Sequence, residues 1–487
     1  MVGICSYSGY VPRYRLNRGL IYKEMGWMNA ATIANAKGDK AVANFDEDSI
    51  TMAVAAGMDA LNGFNRSAVD GLYFASTTTP YKERLNAGIV STALGLGDRI
   101  RAADFAQSLK AGTTALLSGL EAVESKRLNT VLVCASDCRL GKPASPQEMV
   151  LGDAAAGFVL GSENVVAEFK GSFSTTYDFV DHYRGDAALF DRQWEDRWIR
   201  DLGFEQLIPE AVHGLLDRCR MKIADFTKVV YPCVYPAARK KLSKILGIGP
   251  ETEQGNLQAE VGESGAAHAP LMLAAALEQS KPGERILVVS FGNGCDALCF
   301  EVTGNISRMG ARNGISRRLN NKAALDNYTK YLVWRNILPV DEGLRAEEDE
   351  WTRWSVVWRK RREVLALWGS KCRNCGTVQY PQQRICVNPE CGVTDSMDEY
   401  PLSDKTGRVA SFTGDFLAAS VNPPAIYGQI KFDGGGKYLM DFTDCDLEEV
   451  KADMPVVMSF RRKYSDVNRG ILGYFWKAVP KREVDNG

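Results

Sequence analysis

The sequence predicts an α/β fold built twice over, followed by a small all-β region. Three observations carry this reading. An apolar strand, a polar or Gly-rich turn and a second apolar strand occur at 130–160 and recur at 285–302. A stretch of small residues with helical character precedes each pair, at 108–123 and at 266–279. After Cys391 the pattern changes to short alternating runs separated by turns. Repetition of one strand–helix unit signals duplication. Small side chains let two helices be enclosed closely, so the two halves are expected to place these helices face to face between sheets.

The bulk numbers bound the answer. At 487 residues the chain is too long for one ordinary core, and two or three domains are expected. It carries 59 Lys+Arg against 60 Asp+Glu, a net charge of -1, which gives no electrostatic case for nucleic acid or an anionic membrane. No apolar run is long enough to span a bilayer, and the N-terminus lacks a charged region followed by an apolar one. Of the 12 Cys, four cluster at metal spacing and the others are scattered, which fits reduced thiols in a cytoplasm.

Taken in order, Asp46-Glu47-Asp48-Ser49 supplies cap and dipole signals for a helix through Leu61. A strand at 71–76 ends in the polar Thr77-Thr78-Thr79-Pro80, and a helix follows over 85–94. The small-residue helix at 108–123 should have its first turn deep in the fold, where free N–H groups suit a developing negative charge. Strands are expected at 130–136 and 154–160, then at 228–232, 285–292 and 297–302, with a helix at 237–246. Residues 304–325 are Gly-, Arg- and Asn-rich, as a linker should be. An amphipathic helical connector is expected at 326–370, with Trp351, Trp354 and Trp358 at helical spacing to pack it onto a neighbouring domain. The runs at 408–413, 425–430, 438–442 and 456–460 predict a small β-barrel at 401–480, and the tail from Lys481 reads as frayed.

Several constellations bear chemistry. Cys372-Arg373-Asn374-Cys375-Gly376 and Cys386-Val387-Asn388-Pro389-Glu390-Cys391-Gly392 are two short Cys pairs, each followed by Gly. Cys372, Cys375, Cys386 and Cys391 thus match a tetrahedral zinc site on a ribbon at 371–400, with redox cysteines as the alternative. Four thiolates leave zinc no open position, so the metal is expected to be structural. Among three His, His268 opens the second small-residue helix and is a candidate acid or base, or else a satisfied buried histidine. Tyr231-Pro232-Cys233-Val234-Tyr235-Pro236 joins a strand to a helix bearing Arg239 and Lys240, which places Cys233 and Tyr235 near strand ends. Arg239, Lys240 and Lys110 are the candidates for contact with ligand phosphates, with a solvated helix face as the plainer account for the first two. Cys138, after a buried strand, has no adjacent His to activate it. Asn293, in the tight turn Gly292-Asn293-Gly294, has a backbone that can line a pocket or simply close a hairpin.

Residues 1–303 resemble the 3-hydroxy-3-methylglutaryl-CoA synthase branch of the thiolase superfamily, particularly its archaeal-type members. Gly9-Tyr10-Val11-Pro12-Arg13-Tyr14-Arg15-Leu16, Asp46-Glu47-Asp48-Ser49, Lys110-Ala111-Gly112-Thr113 and the stretch from Lys281 to Gly292 carry the resemblance. Residues from about 325 to 480 resemble the zinc-ribbon plus OB-fold domain that accompanies many thiolase-like enzymes acting on acyl-CoA, here fused. The resemblance implies a five-layer αβαβα thiolase fold with halves at 1–165 and 166–303, acyl-CoA (a coenzyme A thioester) as ligand, and a homodimer, with higher oligomers left open. It also sharpens the departures. Where these synthases carry a nucleophilic Cys, this chain has Leu109, with Ser108 beside it; the position of their general-acid Glu aligns with Thr77; and their catalytic His falls near Val234-Tyr235-Pro236.

Three functional readings follow. The first is an enzyme that makes or breaks a C–C bond next to a CoA thioester without an acyl-Cys, of retro-aldol or aldol type on a β-hydroxyacyl-CoA. Tyr235 and His268 are its acid/base candidates, and backbone N–H groups near Asn293 and Ser108 its oxyanion donors. The second is a thiolase or acyltransferase on a β-ketoacyl-CoA with Cys138 or Cys233 as a relocated nucleophile. The third is a non-catalytic acyl-CoA-binding scaffold that bridges partner enzymes, whose pocket would face no titratable group.

Overall fold

The computed structural model describes residues 1–310, 312–347 and 352–482. It divides into two compact units: Met1–Ala43, Asp48–Gly88 and Gly97–Tyr331 form the first, and Asn44–Glu47, Ile89–Leu96 and Leu332–Gly487 the second.

The first unit is organised by one mixed sheet. Its strands are β1 (Gly3–Tyr10), β2 (Gly71–Ala75), β3 (Arg101–Phe105), β4 (Val131–Cys138), β5 (Asp153–Gly161), β6 (Ala167–Thr176), β7 (Lys228–Val230), β8 (Arg285–Phe291) and β9 (Gly294–Val302). The order of this nine-stranded sheet is β7-β8-β9-β6-β1-β5-β4-β2-β3. The two halves meet where β1 pairs β6 through Gly3↔Glu168 and Ile4↔Ala167 alone. The duplication is explicit in β4–β5 and β8–β9, each an antiparallel pair.

Alternation along the strands generates the layers, because successive side chains leave opposite faces. On β8, Ile286 and Val288 enter the central core while Leu287 and Val289 enter an outer one. On β9, Leu298 and Phe300 face inward and Ala297 and Cys299 outward. The central core is filled by α2 (Ala111–Glu124) and α5 (His268–Glu278), the two small-residue helices. They touch at Gly112, where a Cβ would overlap the Ala266 carbonyl oxygen and lie 2.8 Å from Pro270 Cγ. Outside one half lies α1 (Ser49–Ala60), capped by Asp48, whose Oδ1 accepts from Thr51 N at 2.9 Å. Outside the other lie α3 (Ile208–Cys219) and α4 (Pro236–Leu246). These are the five layers αβαβα.

Two expectations shift. Helix α2 begins at Ala111 with Lys110 as N-cap, so Ser108 and Leu109 lie in the turn before it. Residues 304–325 group with the first unit: Ile315, on the short helix Ile315–Asn320, is 3% exposed in its core. Polar composition masked that one apolar anchor.

In the second unit, β10 (Trp368–Cys372), β11 (Val378–Gln379) and β12 (Met397–Pro401) form the ribbon sheet, in the order β11-β10-β12. The barrel strands are β13 (Gly407–Asp415), β14 (Ala425–Phe432), β15 (Lys437–Asp441), β16 (Pro455–Asp466) and β17 (Ile471–Pro480), ordered β15-β14-β13-β16-β17. A parallel bridge between Phe442 and Ala478 brings the two edges together, as an OB-type barrel requires. Trp476, Phe460, Ile430 and Val456 fill its interior. Beside them is a buried charge network: Arg461 meets Glu47 at 2.7 Å and Asp444 at 2.5 Å, and Lys477 meets Asp46 at 2.9 Å. Burial opposes ionisation of Asp46, but Lys477 and Arg461 outweigh it and hold the carboxyl below the usual range. The connector expected at 326–370 is broken into short helices, Tyr328–Trp334, Trp354–Arg359 and Arg361–Leu365. Trp351 lies outside the described residues. Trp354 and Trp358 are 45% and 65% exposed, so this part of the stripe is not a packing face; the Arg361 guanidinium sits 4.0 Å from the Trp358 ring.

Candidate active site and metal centre

Leu109 lines a pocket in the first unit with about 780 Å³ of empty space, its open mouth included. Each wall has a local cause. Arg139 follows the C-terminal end of β4. A two-stranded hairpin pairs His182 with Gln193 and brings Asp181, His182, Asp191 and Gln193 to one side. The loop after β7 supplies Pro232 to Tyr235, and the end of β8 supplies Ser290 and Phe291. Ile199 and Phe204 come from a π-helix, Ile199–Leu207, closed by the Ile208 N–H donating to the Gly203 carbonyl five residues back.

The polar side is concentrated. Arg139 Nε donates to Asp191 Oδ2 at 2.8 Å and Nη1 to Glu263 Oε2, two carboxylates that fix the guanidinium in the pocket wall. Burial works against this cation, but Glu263 and Asp191 outweigh it and raise its pKa, so it stays charged. His182 Nδ1 lies 3.1 Å from Asp181 Oδ1, with both side chains mostly buried.

Of the candidate catalytic residues, Tyr235 and Cys233 line the pocket. Burial, then Asp196, raises the Tyr235 pKa, and its hydroxyl donates to Asp196 Oδ1 at 3.1 Å. It is a proton holder, not a base. Burial pushes the Cys233 thiol up to about 12, which keeps it out of the thiolate form. The remaining candidates lie elsewhere. His268 is fully buried beyond the lining: Ser264 N donates to its Nδ1 at 3.1 Å and its Nε2 donates to the Asn256 carbonyl at 2.8 Å. Burial lowers its pKa, so it is a neutral, doubly satisfied core group and not the pocket's acid or base. Cys138 is half-buried at the end of β4 and packs with Tyr10, Met52 and Ala56 outside the lining. Ser108 Oγ donates to the Gly292 carbonyl at 2.7 Å, a tie between the turn before α2 and the turn after β8. Asn293, at φ 53°, donates from Nδ2 to the Phe179 carbonyl at 3.0 Å and holds its turn. Thr77 Oγ1 donates to Asp137 Oδ2 at 2.9 Å, one of several donors around that buried carboxylate, including Ser76 Oγ, Thr78 Oγ1 and Ala266 N.

The phosphate-contact candidates are occupied too. Lys110 Nζ pairs with Asp296 at 3.0 Å, and Arg239 pairs with Glu253 and donates to the Gln254 carbonyl at 2.5 Å. Lys240 is exposed. His182, Asp181, Arg139 and Glu263 were not singled out by sequence reasoning as site residues. The one available signal was that Asp181-His182 holds one of three His in the chain.

In the ribbon, the Sγ atoms of Cys372, Cys375, Cys386 and Cys391 all lie within 4.8 Å of one another. Cys372 and Cys391 are 3.9 Å apart and Cys375 and Cys386 3.5 Å. A tetrahedral zinc with Zn–S bonds of about 2.3 Å needs sulfurs about 3.8 Å apart, so this donor set fits. Bound there, zinc cross-links the two knuckles.

Known proteins agree with both regions. Residues 359–396 match the family described as ChsH2, rubredoxin-like zinc ribbon domain. The chain is 30% identical over 352 residues to a hydroxymethylglutaryl-CoA synthase of Caldivirga maquilingensis, covering 70% of this chain and 99% of that protein. The synthase of Archaeoglobus fulgidus is 30% identical over 342 residues, covering 69% and 98%. Among solved structures, MvaS in complex with 3-hydroxy-3-methylglutaryl coenzyme A superposes with a TM-score of 0.61 at 17% identity, over 69% of this chain and 92% of that one. FabH from Pseudomonas aeruginosa superposes with a TM-score of 0.54 at 20% identity, over 62% and 98%. At these identities the superpositions speak for the fold. Among the described residues, no helix is long and apolar enough to cross a membrane.

Proposed function

The chain belongs to the hydroxymethylglutaryl-CoA synthase family, and from that premise we propose that it makes or breaks a C–C bond next to a CoA thioester without forming an acyl-enzyme. The carrying observation is the pocket itself. It has Leu109 where the family nucleophile aligns, holds Cys233 as an un-ionised thiol, and presents His182 beside Asp181 together with Arg139. A leucine side chain has no lone pair with which to hold an acyl group.

In the cleavage direction the substrate is a β-hydroxyacyl-CoA. His182 takes the proton from the β-hydroxyl, and Asp181 stabilises the imidazolium that forms. The β-oxygen collapses to a carbonyl and the Cα–Cβ bond breaks. Its electron pair passes into the thioester as an enolate, whose oxygen accepts a hydrogen bond from Arg139. The proton returned to Cα completes a redox-neutral retro-aldol step, and aldol addition is its reverse. Tyr235 lines the pocket as a fixed donor to Asp196 and does not act as the base. The relocated-cysteine reading is disfavoured because Cys138 lies off the pocket and Cys233 is protonated. The scaffold reading is disfavoured because titratable groups face the pocket. A homodimer and a cytoplasmic location belong to the same proposal.

The test is a panel of β-hydroxy- and β-ketoacyl-CoA thioesters with acetyl- or propionyl-CoA release as readout. Cleavage of a β-hydroxyacyl-CoA is expected to survive iodoacetamide and to drop by roughly 10²–10⁴-fold in His182→Gln, the usual loss of a general base. Full turnover by that variant, or a turnover abolished by alkylation and protected by acyl-CoA, overturns the proposal.

A further inference from the structure

Resting on that reading of the pocket, we infer that the fragment attached through the β-carbon is bulky, neutral and apolar, of aromatic or alicyclic type, seated against Ile199, Phe204 and Phe291. Three independent features point there. The π-winding of Ile199–Leu207 brings two residues five apart, Ile199 and Phe204, to the same pocket wall. In an α-helix such residues diverge, because each residue advances the winding by about 100°.

That wall is backed by a continuous aromatic cluster. Phe179 stacks on Trp198 at 4.0 Å between centroids and meets Phe291 at 5.9 Å; Phe204 meets Phe291 at 5.7 Å and Tyr235 edge-on at 5.9 Å. A further ring laid against this wall can add an edge-to-face or offset contact of the same kind. Gly203 keeps the wall in place: a Cβ there would lie 2.8 Å from Phe291 Cζ.

The buried charges disfavour an acidic fragment. The pocket's buried guanidinium, Arg139, already carries Asp191 and Glu263, Asp181 stands beside His182, and Arg192, the other lining guanidinium, is exposed to water. A carboxylate-bearing acyl group would meet these like charges, or an apolar wall that cannot solvate it.

Calorimetric binding separates this from the catalytic proposal, because thioesters without a β-hydroxyl cannot undergo the retro-aldol step. With the intact protein, 3-phenylpropionyl-CoA is expected to bind roughly tenfold or more tighter than butyryl-CoA, from the extra apolar area buried, and glutaryl-CoA weakest. Phe204→Ala should remove most of the phenyl preference and leave butyryl-CoA binding nearly unchanged. Should that variant not fold, Phe204→Leu and Ile199→Trp serve: the first weakens the preference and the second blocks the phenyl ligand selectively. Equal affinity for the three ligands, tightest binding of glutaryl-CoA, or an equal loss for all three in the variants overturns the inference. A phenyl preference without cleavage of any β-hydroxyacyl-CoA overturns only the retro-aldol reading.

Discussion

Acidification from pH 7.5 to 5.5 is expected to destabilise the first unit through His268 alone, by at most on the order of 1 kcal/mol. The imidazole is fully buried and both nitrogens are committed to backbone partners, Nδ1 as acceptor and Nε2 as donor. Protonation would break the Nδ1 contact and bury a charge, so the folded pKa is depressed by burial. In the unfolded chain it is about 6.5. As pH falls, the unfolded state takes up the proton first. The contribution is therefore complete above pH about 6.5 and is lost progressively toward the folded pKa. Protonation of the unfolded imidazole over this range favours the unfolded state by a factor of about ten at most, on the order of 1 kcal/mol. The chain has 3 His, so imidazole-labelled NMR gives a countable spectrum, and His268→Gln assigns the signal. The expected result is a His268 resonance that keeps the neutral Nε2–H form to lower pH than a free imidazole does. Its counterpart is a urea midpoint whose pH dependence over this range flattens in the variant. A His268 signal that titrates near 6.5, or a variant with unchanged pH dependence, refutes the reasoning.

Three further outcomes follow from packing and charge. Gly112→Ala drives a methyl into the Ala266 carbonyl where α2 meets α5, and the overpacking should cost about 1–3 kcal/mol, read as a lower thermal midpoint. Asp46→Asn leaves Lys477 and Arg461 buried without that carboxylate, a loss of about 3–5 kcal/mol, read as faster hydrogen exchange along Pro455–Asp466. Cys386→Ser should lower the bound zinc measured by metal analysis and expose the ribbon strands to proteolysis, because a four-thiolate site missing one ligand no longer closes the knuckles.

Much of the architecture was legible because it is written in local patterns. Val131–Cys138 and Arg285–Phe291 are apolar on both faces, as strands covered on both sides must be. The spacing of Cys372, Cys375, Cys386 and Cys391 is itself the geometry of the ribbon. The pocket was not legible, because its polar groups are assembled across distance. His182 reaches it only through pairing with Gln193, and Arg139 is defined by Asp191 and Glu263, 52 and 124 residues away. His268 opens its helix as expected, yet the first turn is so deeply enclosed that its ring nitrogens meet the Asn256 carbonyl and Ser264, through N and Oγ, and not the pocket. The π-helix left no trace in periodicity, since a window tuned to 3.6 residues cannot register a wider winding.

Under the proposed chemistry, Leu109 also sets the kinetic order of the reaction. With Leu109 in the pocket lining and no acyl-enzyme to form, neither reactant can wait on the protein covalently. In the bond-forming direction both reactants must occupy the cavity together, so initial-rate plots should intersect in place of running parallel. The same side chain removes hydrolysis of a stalled acyl-enzyme as a source of wasted turnover. It transfers the burden of timing from covalent capture to simultaneous occupancy.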